Sequence, residues 1–204
     1  MSKFNPATQE KILQAAEKVF HENGLKGART TLIAERAGVS RTMLHYYFRS
    51  KEDLFQEVLQ ISFGFFLGKA QKLFTSGSDL KGLIDNFIDL LYEILSEKPG
   101  LPSFMVNILN ESPELITNLA FIQDENIPDL IEQLLKEARD KKEIQSDISG
   151  EDLILNIYGM VAMPFLTAPL IRFKEDRSPE AMQAFIHQRK EMIKSFVWNA
   201  IKLK

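Results

Sequence analysis

Apolar residues recur at the spacing of an α-helix along most of this chain, and that regularity excludes most other folds. Ile12, Ala15, Ala16, Val19 and Phe20 fall at i, i+3, i+4, i+7 and i+8. Leu83, Ile84, Phe87, Ile88 and Leu91 repeat the pattern, as do Ile127, Leu130, Ile131, Leu134, Leu135 and Ala138. No stretch combines period-two alternation with turn chemistry, so no strand is expected. With 10 Gly and 8 Pro in 204 residues, the chain is also too poor in turn formers for a sheet protein. Breaks cluster at 75–79, 98–102, 111–113, 146–150 and 176–179, where Gly, Pro, Ser and Asp gather. The pattern predicts an all-α chain of about nine helices, counted from break to break. Two domains are expected: residues 1–50 as a small head and 51–204 as a larger helical body.

The formal net charge of −3 conceals an uneven distribution. Residues 1–55 hold nine Lys and Arg against six Asp and Glu, a net of +3, whereas the remainder holds sixteen against twenty-two, a net of −6. A basic head on an acidic body suits a head that meets a polyanion and a body that does not. Cysteine is absent, which removes disulfides, thiolate nucleophiles and cysteine metal sites and agrees with a reducing cytoplasm. The first twenty residues mix charged and apolar groups and contain no signal-peptide apolar block. Residues 153–171 are nineteen in a row without a charge, long enough for a membrane-span candidate. Asn156, Gly159, Pro164 and Pro169 interrupt that run and no second span accompanies it. The sequence therefore favours a helix buried between the body and a partner subunit.

Residues 30–47 carry the most specific signal. A short helix over 31–37 is followed by Gly38-Val39, then Ser40, then a second short helix over 41–47, the sequence form of a helix-turn-helix. Ala34, Val39 and Leu44 suit the small core between the two helices. Ser40 is a good N-cap and leaves Arg41, Thr42 and Met43 in the first turn, where a recognition helix meets base edges. His45, Tyr46 and Tyr47 span most of a turn, so at least one is expected in the core and at least one outside, offering a donor to phosphate or base. Ser50 and Asp53 form a capping pair for the next helix, whose free amides, with Lys51, make a seat for a DNA phosphate.

The run IAERAGVSRTMLHYYFRSKEDLF at 33–55, preceded by ILQAAEKVFHENG at 12–24, resembles the TetR family of bacterial transcription regulators through the motif A-x-x-A-G-V-S-x-x-x-L-x-x-x-F-x-S-K. The resemblance covers about the first 55 residues. It implies a homodimer whose three-helix heads each place a helix in the major groove of a palindromic operator. The implied body is helical, dimerises through its last two helices and holds an inducer pocket. Carried over by position, Arg41, Thr42 and Met43 match base-reading positions, and His45 and Tyr47 match positions that touch phosphate or base. Thr31 matches a contact near the start of its helix, and Lys51 matches a phosphate lysine. Arg29 stands where many members have a hydroxyl N-cap, and it is itself a candidate for the DNA backbone. Arg41, Thr42 and Met43 replace the more usual lysine, glycine and threonine, so the operator cannot be borrowed from relatives.

Beyond the head no motif of comparable strength occurs. The last two helices, expected over 151–173 and 179–203, are candidates for the dimer interface. Met160, Phe185, Ile186, Arg189, Ile193, Phe196 and Val197 would be its contacts, with Met182, Met192, Ala200 and Ile201 on the same stripe. Arg189 interrupts the stripe as a rim residue or a cross-subunit ion pair. Phe63, Phe66, Phe87, Tyr92, Phe104, Met105 and Met163 supply surface for a pocket taking an apolar or aromatic ligand, with Asn107, Asn156 and Tyr158 to orient it. Gly159 and Pro164 are expected to kink the penultimate helix beside that space.

His21, His45 and His187 lie far apart, away from a second ligand at metal spacing, so neither metal nor cofactor is expected. No GxSxG, Walker loop or GxGxxG occurs, and an enzyme is not expected. The sequence thus points to a cytoplasmic, ligand-responsive DNA-binding repressor acting as a homodimer on double-stranded DNA. The alternatives are a regulator of the same fold that activates or answers a protein partner, and a helical small-molecule carrier or enzyme.

Overall fold

The helices begin where short polar side chains can take up their free amides. The computed structural model describes residues 5–74, 78–117, 127–145 and 147–203. Among these, eleven helical segments follow one another: α1 (Pro6–Gly27), α2 (Thr30–Ala37), α3 (Arg41–Tyr47), α4 (Lys51–Phe74), α5 (Leu80–Glu97), α6 (Leu101–Glu111), α7 (Glu114–Thr117), α8 (Ile127–Asp140), α9 (Gly150–Leu166), α10 (Ala168–Glu175) and α11 (Pro179–Ile201). Asn5, Ser40, Asp79, Ser149 and Ser178 each accept a hydrogen bond from an amide in the first turn of the helix that they start. No strand is present among the described residues. A lone antiparallel bridge joins Ile144 to Lys202.

Packing divides the chain into two units. One comprises Met1–Phe66 with Ser103–Gln123, and the other Leu67–Pro102 with Asp124–Lys204. In the first, Ile12, Ala16, Val19 and Phe20 of α1 meet Ile33 and Ala34 of α2, Leu44 of α3 and Leu54, Phe55 and Leu59 of α4, all buried. Phe20 sets its ring edge-on to Phe55 at 4.8 Å, and Phe55 meets Phe104 of α6 at 5.7 Å. The three rings form the large, rigid centre of this unit.

In the second unit α5 is the central element, burying nine side chains from Leu80 to Leu95. Leu153, Ile157 and Val161 of α9, Ile131 and Leu135 of α8, and Ile193, Val197 and Ile201 of α11 complete this core. Glu132 accepts from the Gly150 amide at 2.6 Å and from Arg139 at 3.1 Å, which fixes the turn into α9. Asp89 on α5 bridges Lys190 at 2.8 Å and Lys194 at 2.7 Å on α11.

The expected helix over 151–173 is two helices. α9 ends at Leu166, and α10 restarts after Thr167 at a bend of 54°. Pro169 has no amide to bond back to Phe165, whereas a first helical turn tolerates it, so the chain starts again there. Pro164, expected to kink the helix, lies buried inside α9. No single helix among the described residues is long and apolar enough to cross a membrane.

Burial pushes the Asp89 carboxyl up, but hydrogen bonds from Lys190 and Lys194 outweigh it and hold the group below the usual carboxylate value. A carboxylate depressed in the folded state adds stability above its unfolded pKa that is lost as pH falls through the folded value. Stability is therefore expected to decline as pH drops below about 4. With the Asp89 side chain 40% exposed, Asp89→Asn should cost about 0.5 kcal/mol at neutral pH and blunt that acid decline. Thermal melts of both proteins across the acid range check this.

Candidate nucleic-acid interface

The turn between α2 and α3 follows from two residues. Gly38 adopts the left-handed conformation (φ 67°, ψ 32°), and its amide donates to the carbonyls of Ala34 and Glu35. The Val39 amide reaches back to the Ala34 carbonyl at 3.0 Å, closing α2 with a Schellman-type stop. Ser40 then opens α3, its hydroxyl accepting from the Met43 amide at 3.1 Å. Helix α2 starts at Thr30, with Arg29 as a cap residue that makes no side-chain cap bond. A second glycine, Gly24 (φ 65°), interrupts the helical conformation near the end of α1.

Around the seven residues of α3 only Leu44 is buried. At about 100° per residue, Thr42 and Tyr46 project opposite Leu44, with Met43 and His45 on the flanks. Arg41, Thr42, Met43, His45 and Tyr46 are exposed, as are Arg29 and Thr31 at the start of α2. This outward face is cationic at Arg41, and no acidic residue occupies the first turn of α3. It therefore offers donors to phosphates and base edges with no carboxylate of its own first turn competing.

Two expected contacts are placed differently from the rest. Lys51 is half-buried, and its ammonium donates to the Ala28 carbonyl at 3.3 Å. Ser50 caps α4 by accepting from the Asp53 amide at 2.9 Å. Tyr47 is half-buried, and its ring meets Tyr46 edge-on at 5.5 Å. The expectation that at least one of His45, Tyr46 and Tyr47 is a core residue is not met. None of the three is buried, because Leu44 and Phe48 already fill that side.

The expected pocket residues fall into both units. Phe63, Phe66, Phe104, Met105 and Asn107 lie in the first, and Phe87, Tyr92, Asn156, Tyr158 and Met163 in the second. Phe104 belongs to the aromatic cluster of the first core, and with Asn107 it lines a crevice of only about 10 Å³. Phe87 and Tyr92 are buried, whereas Asn156, Tyr158 and Met163 face outward. Tyr92 lines a groove of about 380 Å³ with Asp89, Ser96, Ile186, His187 and Lys190. Burial pushes its phenol above the usual value, against the opposing charge of Arg189.

The stripe expected on α11 has two sides. Ile193 and Val197 are each only 3% exposed and belong to the protomer's own core, which corrects their placement at a dimer surface. Met160, Phe185, Ile186 and Arg189 are half-buried, and the Arg177 guanidinium sits 4.2 Å over the Phe185 ring. Phe196 and Met192 are exposed, together with Leu155, Met163, Leu170 and Phe173 on α9 and α10. No group of three or more His, Asp or Glu side chains is placed to hold a metal ion among the described residues.

Residues 12–58, spanning α1 to the first turns of α4, match the family model of bacterial regulatory proteins, tetR family. The chain is 25% identical over 163 residues to the HTH-type transcriptional regulator UidR of Escherichia coli K12, covering 76% of this chain and 80% of that protein. It is 35% identical over 114 residues to the HTH-type transcriptional regulator RutR of the same organism, covering 55% and 53%. Its fold is similar to the ketosteroid transcriptional regulator KstR2 of Mycobacterium tuberculosis, with a TM-score of 0.72 over 98% of both chains at 16% identity.

A Cβ at Gly38 would meet no atom within 4 Å, so the cost of a side chain there is conformational alone. Gly38→Ala is expected to destabilise the protein by about 1 kcal/mol, and Gly38→Asn by less, because Asn tolerates left-handed geometry. Denaturant unfolding of the two variants checks the order.

Proposed function

We propose that the chain is a TetR-family DNA-binding transcriptional regulator, a homodimeric repressor that an apolar or aromatic small molecule releases from a palindromic operator. The observation that carries the reading is the outward face of α3, where Arg41, Thr42, Met43, His45 and Tyr46 stand exposed on a helix capped by Ser40. Arg41, Thr42 and Met43 read base edges; His45, Tyr46, Arg29 and Thr31 fix the head on the backbone. Lys51 adds charge beside the capped start of α4, with two of its three ammonium protons left for a phosphate.

Dimerisation is assigned to the exposed apolar residues Leu155, Tyr158, Met163, Met192 and Phe196, with Met160, Phe185, Ile186 and Arg189 at their margin. Large apolar side chains left exposed on α9 and α11 suit a partner surface in water. The effector is assigned to the second unit, beside Phe87 and Tyr92. Gating is differential: the effector fits the form whose heads are mis-spaced for successive major grooves, and the operator fits the other. The protein works in the cytoplasm, where its DNA is.

Arg41→Ala should weaken specific binding by about 1–3 kcal/mol and relax the preference at one base pair. Lys51→Ala should weaken all duplexes alike and flatten the salt slope by about one unit. Equal effects of both variants on every duplex would remove the docking proposed for α3. Phe196→Glu should shift the mass seen by light scattering from dimer to monomer, and a wild-type monomer at every concentration would remove the interface.

A further inference from the structure

The hydroxyl of Tyr47 is already committed inside the first unit. Its oxygen accepts from the Asn5 amide at 2.9 Å, and its proton goes to the Asn5 carbonyl at 3.2 Å, across 42 positions of chain. Asn5 is also the cap of α1, its side chain accepting from the Ala7 amide at 3.0 Å. One phenol thus grips both peptide groups of the residue that starts the first helix.

Chemistry then separates Tyr47 from its neighbours on α3. A phosphate oxygen only accepts hydrogen bonds, and a phenol has a single proton to give. With that proton on the Asn5 carbonyl, Tyr47 has none for DNA. The grip also answers a mechanical need. A helix of seven residues is far below the length that holds itself together in water. Leu44 is its one buried side chain, and Phe48 anchors the residue beyond it. Tyr47 supplies a polar tie at the same C-terminal end.

We propose that Tyr47 is a positioning residue that braces the C-terminal end of the recognition helix against the N-terminus of α1, and that it is not a DNA contact. This rests on the DNA-reading role of α3. It departs from the phosphate or base contact that the family resemblance implies for the position.

The test uses the full-length protein, a duplex that the wild type selects from a random-sequence pool, and hydrogen exchange on the DNA-free form. Tyr47→Phe removes the hydroxyl. Asn5→Pro leaves the phenol intact and removes the amide it accepts from, and Asn5→Ala, which keeps that amide, controls for the lost cap. Tyr47→Phe and Asn5→Pro should each speed exchange along α3 in the absence of DNA and weaken duplex binding about five- to tenfold. The loss in the double variant should fall short of the two single losses combined, and Asn5→Pro should fall further than Asn5→Ala.

Weaker binding by Tyr47→Phe, with Asn5→Pro and α3 exchange both at wild-type values, would mean that the hydroxyl touches DNA and would overturn the proposal. Undiminished binding by Tyr47→Phe would overturn it as well. A wild type that selects no duplex would instead count against the DNA-reading role itself, and the proposal would fall with it.

Discussion

A recognition helix of seven residues exists only because the rest of its unit holds it in place. Too short to pay its own ordering entropy, it depends on Leu44 being driven into the core and on fixed ends. Ser40 fixes one end, and Phe48 with Tyr47 the other. Behind Leu44 stand Ile33 and Ala34 of α2 and the wall of α1, backed by the edge-to-face rings of Phe20, Phe55 and Phe104. The exposed face can carry Arg41, Thr42, Met43, His45 and Tyr46 because Leu44 and Tyr47 are the α3 side chains that hold the helix in place. Fold and proposed function thus divide one helix by angle: Leu44 inward, and outward the residues proposed to read DNA.

The second unit follows a different rule. Its core is built around α5, a strongly amphipathic helix whose buried side is continuous from Leu80 to Leu95. Helix α11 packs there with Met182, Ile193, Val197 and Ile201, tied by Asp89 to Lys190 and Lys194. Its other side keeps Met192 and Phe196 in solvent. The exposed apolar groups Leu155 and Met163 on α9, Leu170 and Phe173 on α10, and Met192 and Phe196 on α11 are the ones proposed to meet a partner.

Much of this was legible in the sequence where the physics is local. Ser40 before a short apolar-periodic run, Gly38 where left-handed backbone was required, and the Ser50–Asp53 pair announced the caps from neighbours within four residues. Helix spacing predicted the inward sides of α1 and α5 for the same reason, whereas on α8 Ile131, Leu135 and Ala138 are buried but Leu130, on the same expected stripe, is exposed. What escaped needed distant information. The spacing that joins Ile193, Phe196 and Val197 into one stripe cannot say which of them the protomer's own core covers. An uncharged run hid the restart at Thr167, because Pro169 suits a helix start as well as it disrupts a helix interior. Division of the pocket candidates between two units follows from which helices pack together, and residue type does not record that. The tie from Tyr47 to Asn5 runs to backbone atoms 42 residues away, which no side-chain pattern encodes.

The central proposal is that the outward face of α3 reads DNA sequence and is presented twice by a dimer. Selection of bound sequences from a random DNA library with the purified protein, at a stated salt concentration, tests this most directly. A palindrome with half-sites about one helical turn apart is the predicted result. Folded protein that enriches no sequence above background would contradict it.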